Sequence, residues 1–252
     1  MFPIGDQNIQ GKGYAWVTLV FIALNLVVFF LLQSGFSPSA AGDRFTYGYS
    51  AIPAEITQNV DITEPTPITI DGQREEIPQA PGPDPIYLTL LTSMFMHGGL
   101  AHIFGNMLFL WIFGDNVEHR MGSIVYAGFY LLAGIVASLA QILTNTDSTI
   151  PTLGASGAIS GVLGAYIVLF PQNQVRVLLF RFVTTVPAIV AIGMWAVLQF
   201  INGFGAVFAS EETGGGVAYM AHIGGFLAGI VAGLIFRSLG GGGRSPEYRP
   251  AG

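Results

Sequence analysis

The stretch LGASGAISGVLGAYIVLF (residues 153–170) sets the architecture expected for this chain. It carries no charge, and small residues recur along it at every fourth position. Because a bilayer requires about 20 apolar residues in a helix, the stretch predicts a membrane helix over residues 155–171. Small residues four apart form a face on which a second helix can pack closely. The pattern therefore predicts a membrane helix with a tightly packed partner.

The matching small face lies near the C-terminus, in AHIGGFLAGIVAG at residues 221–233. If the two faces meet near their outer ends, His222 lies beside Ser156. Ser156 falls in the first turn of its helix, where amides without helical acceptors and the positive end of the dipole suit an oxyanion. A neutral imidazole within hydrogen-bond reach is the base that a serine nucleophile requires. The plainer interpretation, an N-cap serine on a helix of small residues, remains open at this point.

The composition is that of a membrane protein. Apolar residues make up 52% of the 252 residues and charged residues 10%, whereas soluble domains carry about 25% charged residues. The absence of cysteine excludes disulfides, thiolate metal sites and cysteine nucleophiles. The net charge of −6 argues against a nucleic-acid partner.

Six apolar stretches, uncharged except for Asp115 near the end of the second, are candidates for membrane spans. All should be helical because backbone groups in lipid must pair internally. They lie at residues 14–33, 100–117, 121–143, 155–171, 184–203 and 217–236. The apolar run of the first is too long for a signal-peptide core and no cleavage site follows it, so we expect a retained helix.

The basic residues indicate the orientation of these spans. Seven of the nine lie at the two termini or in the connections after the second and fourth spans, whereas only Arg44 and Arg74 lie on the other side. The positive-inside rule then places both termini in the cytoplasm. We expect an integral multi-pass protein of a prokaryotic plasma membrane.

The polar segments flank this bundle. Residues 34–86 form the first outside loop, and their proline content predicts irregular or mobile structure, with a short hairpin at residues 68–77. Residues 86–96 are apolar but short and predict an interfacial or re-entrant helix. The glycine-rich tail, residues 240–252, is predicted to be flexible.

Ionisable residues inside a bilayer are expensive and indicate function. His102 and Asn106 are four residues apart and project from one face of the second span. Gly98 and Gly99 allow a turn that brings His97 beside His102. The alternative is that these side chains only hold helices together through hydrogen bonds.

Three motifs, on the second, fourth and sixth spans, resemble the signatures of the rhomboid family of intramembrane serine proteases. They are HGGLAHIFGNM (97–107), GASGAISG (154–161) and AHIGGFLAG (221–229). The turn GDNVEHRMG (114–122) resembles the family's connection between the second and third helices, with Glu118 and Arg120 as the matching charged pair. The resemblance covers residues 86 to 236.

This resemblance implies an all-α polytopic membrane protein, a six-transmembrane-helix rhomboid-like bundle over residues 1–239. It implies a Ser–His dyad without an acidic third member, in which Ser156 is the nucleophile and His222 the base. His102, Asn106 and the Ser156 amide would stabilise the oxyanion, and His97 would have a more structural part. The supporting residues are His97, Gly154, Gly157, Gly225, Gly229, Glu118 and Arg120.

The resemblance also implies a substrate class: transmembrane or membrane-adjacent segments of other proteins. The expected partners are therefore such substrates and the lipid bilayer, with no cofactor, no metal and no nucleic acid. Opening of the fifth helix and its adjoining loop, residues 204–216, is the implied gate. One departure is Ser160, because some members carry there a tyrosine on which the catalytic histidine stacks; the partner of His222 is left open.

Three other functions compete with proteolysis. A rhomboid-like pseudoprotease would bind membrane clients without cutting them, although such relatives lose the serine or the histidine. A metal site of His97, His102 and His222 would resemble zinc ligation but leaves Ser156 unexplained. A transporter would require charged coupling residues inside the bundle, and the spans lack them.

Overall fold

The computed structural model of this chain describes residues 2–8, 13–70, 73–209 and 218–241. The long helices are α1 (Trp16–Val27, continued by the π-helical Val28–Leu32), α5 (Leu100–Met121), α6 (Ser123–Ile142), α7 (Ser156–Leu169), α8 (Ala188–Ala209) and α9 (Tyr219–Phe236, followed by the π-helical Arg237–Gly241). The short helices are α2 (Ala40–Tyr49), α3 (Pro53–Gln58) and α4 (Thr89–Thr92), the last lying between the 3₁₀ turns Ile86–Leu88 and Ser93–Phe95. The strands are β1 (Phe2–Gly5), β2 (Thr66–Ile70), β3 (Gln73–Ile77), β4 (Gln174–Leu179) and β5 (Phe182–Pro187).

Each of the six predicted spans contains a long helix. By length and composition, two described helices can cross a membrane, Ser123–Ile142 and Tyr219–Leu239. A third qualifies if Ile86–Phe95 and Leu100–Met121, which meet at 80°, form one broken span. The other three apolar helices, Trp16–Leu32, Ser156–Leu169 and Ala188–Gly203, are shorter. Six long helices are therefore present among the described residues, and six crossings stay a prediction.

Helix α7 forms the centre of the bundle. Every residue from Gly157 to Tyr166 is buried, because α5, α6 and α9 all pack around it. A helix of 14 residues is about 21 Å long, which is less than the roughly 30 Å of a hydrocarbon core. Since α7 is enclosed by other helices, its length does not have to match the bilayer.

The small faces of α7 and α9 are in direct contact. A Cβ atom added to Gly225 would collide with the carbonyl oxygen of Gly157, and one added to Gly229 would collide with that of Gly161. The obstructing atoms are backbone, which cannot move aside as a flexible side chain would. The two helices are thus as close as glycine permits, and this approach brings their first turns together.

We expect Gly229→Leu to separate α9 from α7 and to lower stability and activity together. Overpacking a tight contact typically costs about 1–3 kcal/mol, and Gly229→Ala alone should fall in this range. Thermal unfolding in detergent measures the effect. Gly128→Leu on α6 is the matched control, because no atom lies within 4 Å of a Cβ added there. A wild-type Tm for Gly229→Leu would contradict the described packing.

A three-stranded sheet caps the end of the bundle opposite the first turn of α7. The strands are antiparallel in the order β1-β4-β5, where the sequence predicted only a charged loop. The predicted span 184–203 was wrong at its start, because residues 182–187 extend as β5 before α8 begins. Alternation explains the sheet: Val175 and Val177 are buried while Gln174 and Arg176 are exposed.

The N-terminal strand is held by a polar contact with two helices. The carboxylate of Asp6 accepts a hydrogen bond from Asn116 Nδ2 at 2.8 Å and another from the hydroxyl of Tyr166. Burial raises the pKa of Asp6 to about 7. The segment before α1 is therefore integrated with the ends of α5 and α7.

In its described part, the segment of residues 34–86 forms helices and strands, so the prediction of irregular or mobile structure was wrong. Local signals explain its helices: the Ser39 hydroxyl accepts a hydrogen bond from Gly42 N at 3.1 Å to cap α2, and Pro53 occupies the first turn of α3. The hairpin predicted at residues 68–77 is confirmed by the pairing of β2 with β3. Its central residues, 71 and 72, lie outside the described residues, as do residues 210–217 and 242–252, which hold most of the predicted gate loop and tail.

Candidate active site

Ser156 is the first residue of α7 and lies two residues after a glycine with positive φ. Gly154 has a φ of +133°, a conformation that side chains rarely permit. Its N–H donates to the Ser93 carbonyl at 2.9 Å. The turn before Gly154 is also held by the segment between α2 and α3, since Thr152 N donates to the Ala51 carbonyl at 2.8 Å. These bonds hold Ser156 at the positive end of α7.

His222 lies in the first turn of α9 and reaches Ser156. Its Nε2 atom is 2.8 Å from Ser156 Oγ, which is hydrogen-bond distance. The close approach of the glycine faces positions the two helix ends for this contact. The structure thus brings together Ser156 and His222, the two residues that the sequence predicted to be nucleophile and base.

The other side of His222 faces α8, a helix in which the sequence predicted a gate but no site residue. Nδ1 lies 2.7 Å from Gln199 Oε1. The ring centroid of Trp195, one turn earlier, is 6.1 Å from that of the imidazole. Trp195 is therefore the residue that packs on His222, which the sequence did not identify. Ser160 does not fill this role, and its hydroxyl donates to the Ser156 carbonyl at 2.6 Å. A glutamine in a mostly apolar helix was the available signal.

His102 lies on the face of α5 turned towards Gly154, and Asn106 is one turn further along the same helix. A Cβ atom added to Gly154 would be 2.9 Å from His102 Nε2 and 3.6 Å from Ser156 Oγ, so Gly154 separates the two side chains without bulk. His102 Nδ1 accepts a hydrogen bond from Gly98 N at 3.3 Å. The other ring nitrogen, Nε2, therefore faces Gly154. Asn106 Nδ2 is buried and has no hydrogen-bond partner among the described residues.

His97 supports His102 from behind. The rings of His97 and His102 pack edge to face with centroids 5.0 Å apart. The backbone of His97 is held by Gln33, whose Oε1 accepts from His97 N at 2.8 Å and whose Nε2 donates to His97 O at 3.2 Å. His97 is therefore placed to orient His102 and does not contact Ser156.

Glu118 acts at the far end of α5. Its buried carboxylate accepts hydrogen bonds from Thr18 N at 2.8 Å, Val17 N at 3.0 Å and Ser123 Oγ at 2.6 Å. It therefore satisfies the free amides of the first turn of α1 and joins three helices. Arg120 lies in the last turn of the same helix. Both residues are remote from Ser156.

Glu55 is a buried acid in the segment of residues 34–86. It lies on α3, where Ala54 N donates to the Ser148 carbonyl at 3.0 Å. Burial raises the pKa of Glu55 to about 7; the hydrogen bond from Ile62 N, at 2.9 Å, opposes this and the neighbouring Asp61 adds to it. The carboxyl is therefore protonated in the folded protein well above the usual pKa of glutamic acid.

This shift predicts a pH dependence of stability. A folded-state pKa above the unfolded one contributes stability that is complete below about pH 4.5 and is lost as pH rises through about 7. We expect the Tm of the wild type, measured relative to that of Glu55→Gln, to fall by several degrees between pH 5 and pH 8. Glutamine keeps the acceptor for Ile62 N and does not titrate. Parallel Tm profiles for the two proteins would contradict the assignment.

A small cavity opens beside Ser156. Its volume of about 30 Å³ is enough for at least one water molecule. Its walls are mostly small residues and backbone, including Gly134, Ala137, Gly157, Ala218 and Ala221. It can hold a water or a methyl-sized group. Within the described ranges, no three His, Asp or Glu side chains are grouped so as to hold a metal ion.

Fold and site together define a polytopic helical membrane protein with a serine–histidine pair at two adjoining helix ends. A family model described as "Rhomboid domain" matches residues 85–239. The chain therefore belongs to the rhomboid family, as the three motifs implied. The match begins just before the bent helical segment that leads into α5 and ends after α9.

Several curated proteins are similar to this chain. "Rhomboid protease GluP" of Bacillus subtilis (strain 168) is 30% identical over 221 residues, which is 88% of this chain and 35% of that protein. "Rhomboid protein 1, mitochondrial" of Saccharomyces cerevisiae is 32% identical over 58% of this chain and 41% of that protein. "Presenilin-associated rhomboid-like protein, mitochondrial" of Bos taurus is 28% identical over 56% of this chain and 36% of that protein.

The chain thus spans between 35% and 41% of the length of these three relatives. Two of them are named mitochondrial, so the relatives do not support the expected prokaryotic plasma membrane. The family membership establishes a membrane protein.

Proposed function

We propose that this protein is an intramembrane serine endopeptidase that uses Ser156 and His222 as a catalytic dyad. The observation that carries the proposal is the 2.8 Å contact between Ser156 Oγ and His222 Nε2 at the first turn of α7. A nucleophile, its base and a set of free helix amides meet there, which is the arrangement that acyl transfer requires. The named protease among the relatives, similar along 88% of this chain, supports the same activity.

The reaction proceeds through an acyl-enzyme. Ser156 Oγ attacks the scissile carbonyl carbon while its proton passes to His222 Nε2. The tetrahedral intermediate then collapses, the C–N bond breaks, and the Nε2 proton goes to the leaving amine. A water molecule next attacks the ester and gives a proton to Nε2, which returns it to Ser156 Oγ as the acid product leaves.

The negative charge that develops on the substrate oxygen requires donors fixed in advance. We assign this role to the Ser156 N–H, His102 and Asn106. The unpaired amide of Asn106 supports the assignment, since a buried donor without a partner is expensive unless function uses it. His97 positions His102, and Gly154 keeps the space between His102 and Ser156 free.

Substrates are proposed to be transmembrane or membrane-adjacent segments of other proteins, which reach the site from the lipid bilayer. The cavity of about 30 Å³ beside Ser156 favours a small side chain at the cleaved bond. A segment with helix-breaking residues would expose its backbone carbonyl to Ser156 more readily than a stable helix, whose carbonyls are hydrogen-bonded.

We further propose six crossings with both termini in the cytoplasm and residues 34–86 outside. The seven-to-two division of basic residues supports this orientation. Reporter fusions made after Arg120 and after Arg249 should both report the cytoplasm, whereas a fusion within residues 34–86 should report the outside. An outside signal from either cytoplasmic fusion would remove one crossing.

A direct assay tests the activity. The purified chain in lipid nanodiscs is incubated with a panel of single-span membrane proteins, and the ends of any fragments are sequenced. We expect cleavage after small residues near one membrane surface. Binding of panel members without fragments would favour a non-cleaving client-binding protein instead. Cleavage lost on adding a chelator would favour a metalloprotease.

A further inference from the structure

The residue that completes the site lies on α8, outside the three signature motifs. Gln199 Oε1 approaches Nδ1 of His222 at 2.7 Å, on the side of the ring opposite Ser156. In the described structure the imidazole is therefore hydrogen-bonded at both nitrogens, once to the nucleophile and once to a neutral amide.

These two contacts select a tautomer. A neutral imidazole carries one N–H and one lone pair. An amide oxygen only accepts hydrogen bonds, so the proton resides on Nδ1 and donates to Gln199 Oε1. Nε2 then presents its lone pair to the Ser156 hydroxyl. The other tautomer would place an N–H on Nε2, where it donates to Oγ and cannot act as a base.

We propose that Gln199 is a positioning residue that holds His222 in the Nδ1–H tautomer and thereby makes Nε2 the base. This inference rests on the proposed function for its kinetic consequence, but the tautomer itself can be tested without any activity. An uncharged amide here does the orienting work that a buried carboxylate does in a Ser-His-Asp triad. The spans contain no acid near the dyad that might do so.

The position of α8 controls this contact. Trp195 is one turn before Gln199 and packs against the same imidazole with ring centroids 6.1 Å apart. Trp195 also contacts Phe226 of α9, at 5.9 Å between centroids. Because both residues that hold His222 from this side lie on α8, the base is oriented only while α8 rests against α9.

The test measures the tautomer by ¹⁵N NMR of histidine-labelled protein in nanodiscs at pH 8. The chain has four histidines, and the His222 signals are assigned by their loss in His222→Gln. We expect a protonated Nδ1 and an unprotonated Nε2 in the wild type. Gln199→Leu should convert His222 partly or wholly to the Nε2–H form. Gln199→Glu keeps an acceptor oxygen and should retain the wild-type pattern.

Gln141→Leu is the matched control for the loss of an amide. Gln141 Oε1 also accepts a hydrogen bond from α9, from Ala221 N at 3.2 Å, yet it does not contact His222. This variant should leave the His222 tautomer unchanged. A wild-type His222 in the Nε2–H form, or equal changes in Gln199→Leu and Gln141→Leu, would overturn the proposal.

Kinetics then link the tautomer to catalysis. We expect Gln199→Leu to lower kcat about 5- to 100-fold, the range for leaving one buried donor unpaired, with KM nearly unchanged. Gln199→Glu should recover most of kcat. Normal kcat in Gln199→Leu despite an altered tautomer would overturn the positioning role. If the wild type cuts no substrate, the proposed function fails, whereas the NMR result still decides whether Gln199 sets the tautomer.

Discussion

Ser156→Ala is expected to lower the rate of substrate cleavage by about 10⁶-fold, the loss found when a serine nucleophile is removed. The change deletes only the Oγ atom, whose described hydrogen bond is the one to His222 Nε2. Folding should survive, because alanine suits a face where Gly157 and Ala158 are already buried. Initial cleavage rates and Tm, both measured in nanodiscs, report the two effects separately.

His222→Ala should cause a similar loss, and the double variant should be about as inactive as either single one, since the two residues act as a unit. Ser160→Ala is the matched control. Its hydroxyl donates within α7 to the Ser156 carbonyl, so the variant should cleave at close to the wild-type rate. Substantial proteolysis by Ser156→Ala, above that of the double variant, would refute a serine mechanism centred on this residue.

His102→Ala is expected to lower kcat by about 10²–10³-fold, or roughly 3–4 kcal/mol, as removal of one oxyanion donor typically does. KM and Tm should change little, because the bond to His102 recorded in the structure is a single one of 3.3 Å from Gly98 N. Asn106→Ala should have a smaller effect, since the remaining donors share the charge. Steady-state kinetics and thermal unfolding together separate an oxyanion role from a helix-packing role.

His119→Ala provides the control for loss of a histidine from the same helix. Its Nε2 atom lies 2.8 Å from the Gly13 carbonyl oxygen, near the opposite end of α5, so kcat should stay at the wild-type value. A lower Tm for His102→Ala with near wild-type cleavage by the folded fraction would show that His102 only stabilises the bundle. The oxyanion assignment would then be wrong.

Local patterns accounted for the helices and for the residues that α5, α7 and α9 contribute to the site, but not for those of α8. The six apolar stretches predicted the six long helices, because hydrophobicity over about 20 residues is a property of the contiguous chain. The small residues of α7 and α9 predicted their contact, and this contact placed His222 beside Ser156. The spacing of His102 and Asn106 predicted a shared face, since residues four apart lie one turn apart on a helix.

Errors arose where the partner of a segment is distant in the chain. The strand at Phe2–Gly5 forms only by pairing with Gln174–Leu179, and four residues have no strand signal of their own. The proline-rich segment, residues 34–86, is held against the turn before Ser156, because Ala51 and Thr152 exchange backbone hydrogen bonds. Composition described residues 34–86 correctly as polar but did not reveal these partners.

The sequence alone therefore determined the membrane class, the positions of the helices and the pairing of Ser156 with His222, because periodicity and small-residue faces are encoded within single helices. The folded structure was needed to identify Gln199 and Trp195 as the residues that hold His222. It was also needed to identify Glu118 as the cap of α1, because Glu118 and Thr18 are 100 residues apart in the chain. The physical reason is that a side chain's hydrogen-bond partner depends on where neighbouring helices lie. That arrangement results from the packing of the whole bundle and cannot be read from spacing along the chain.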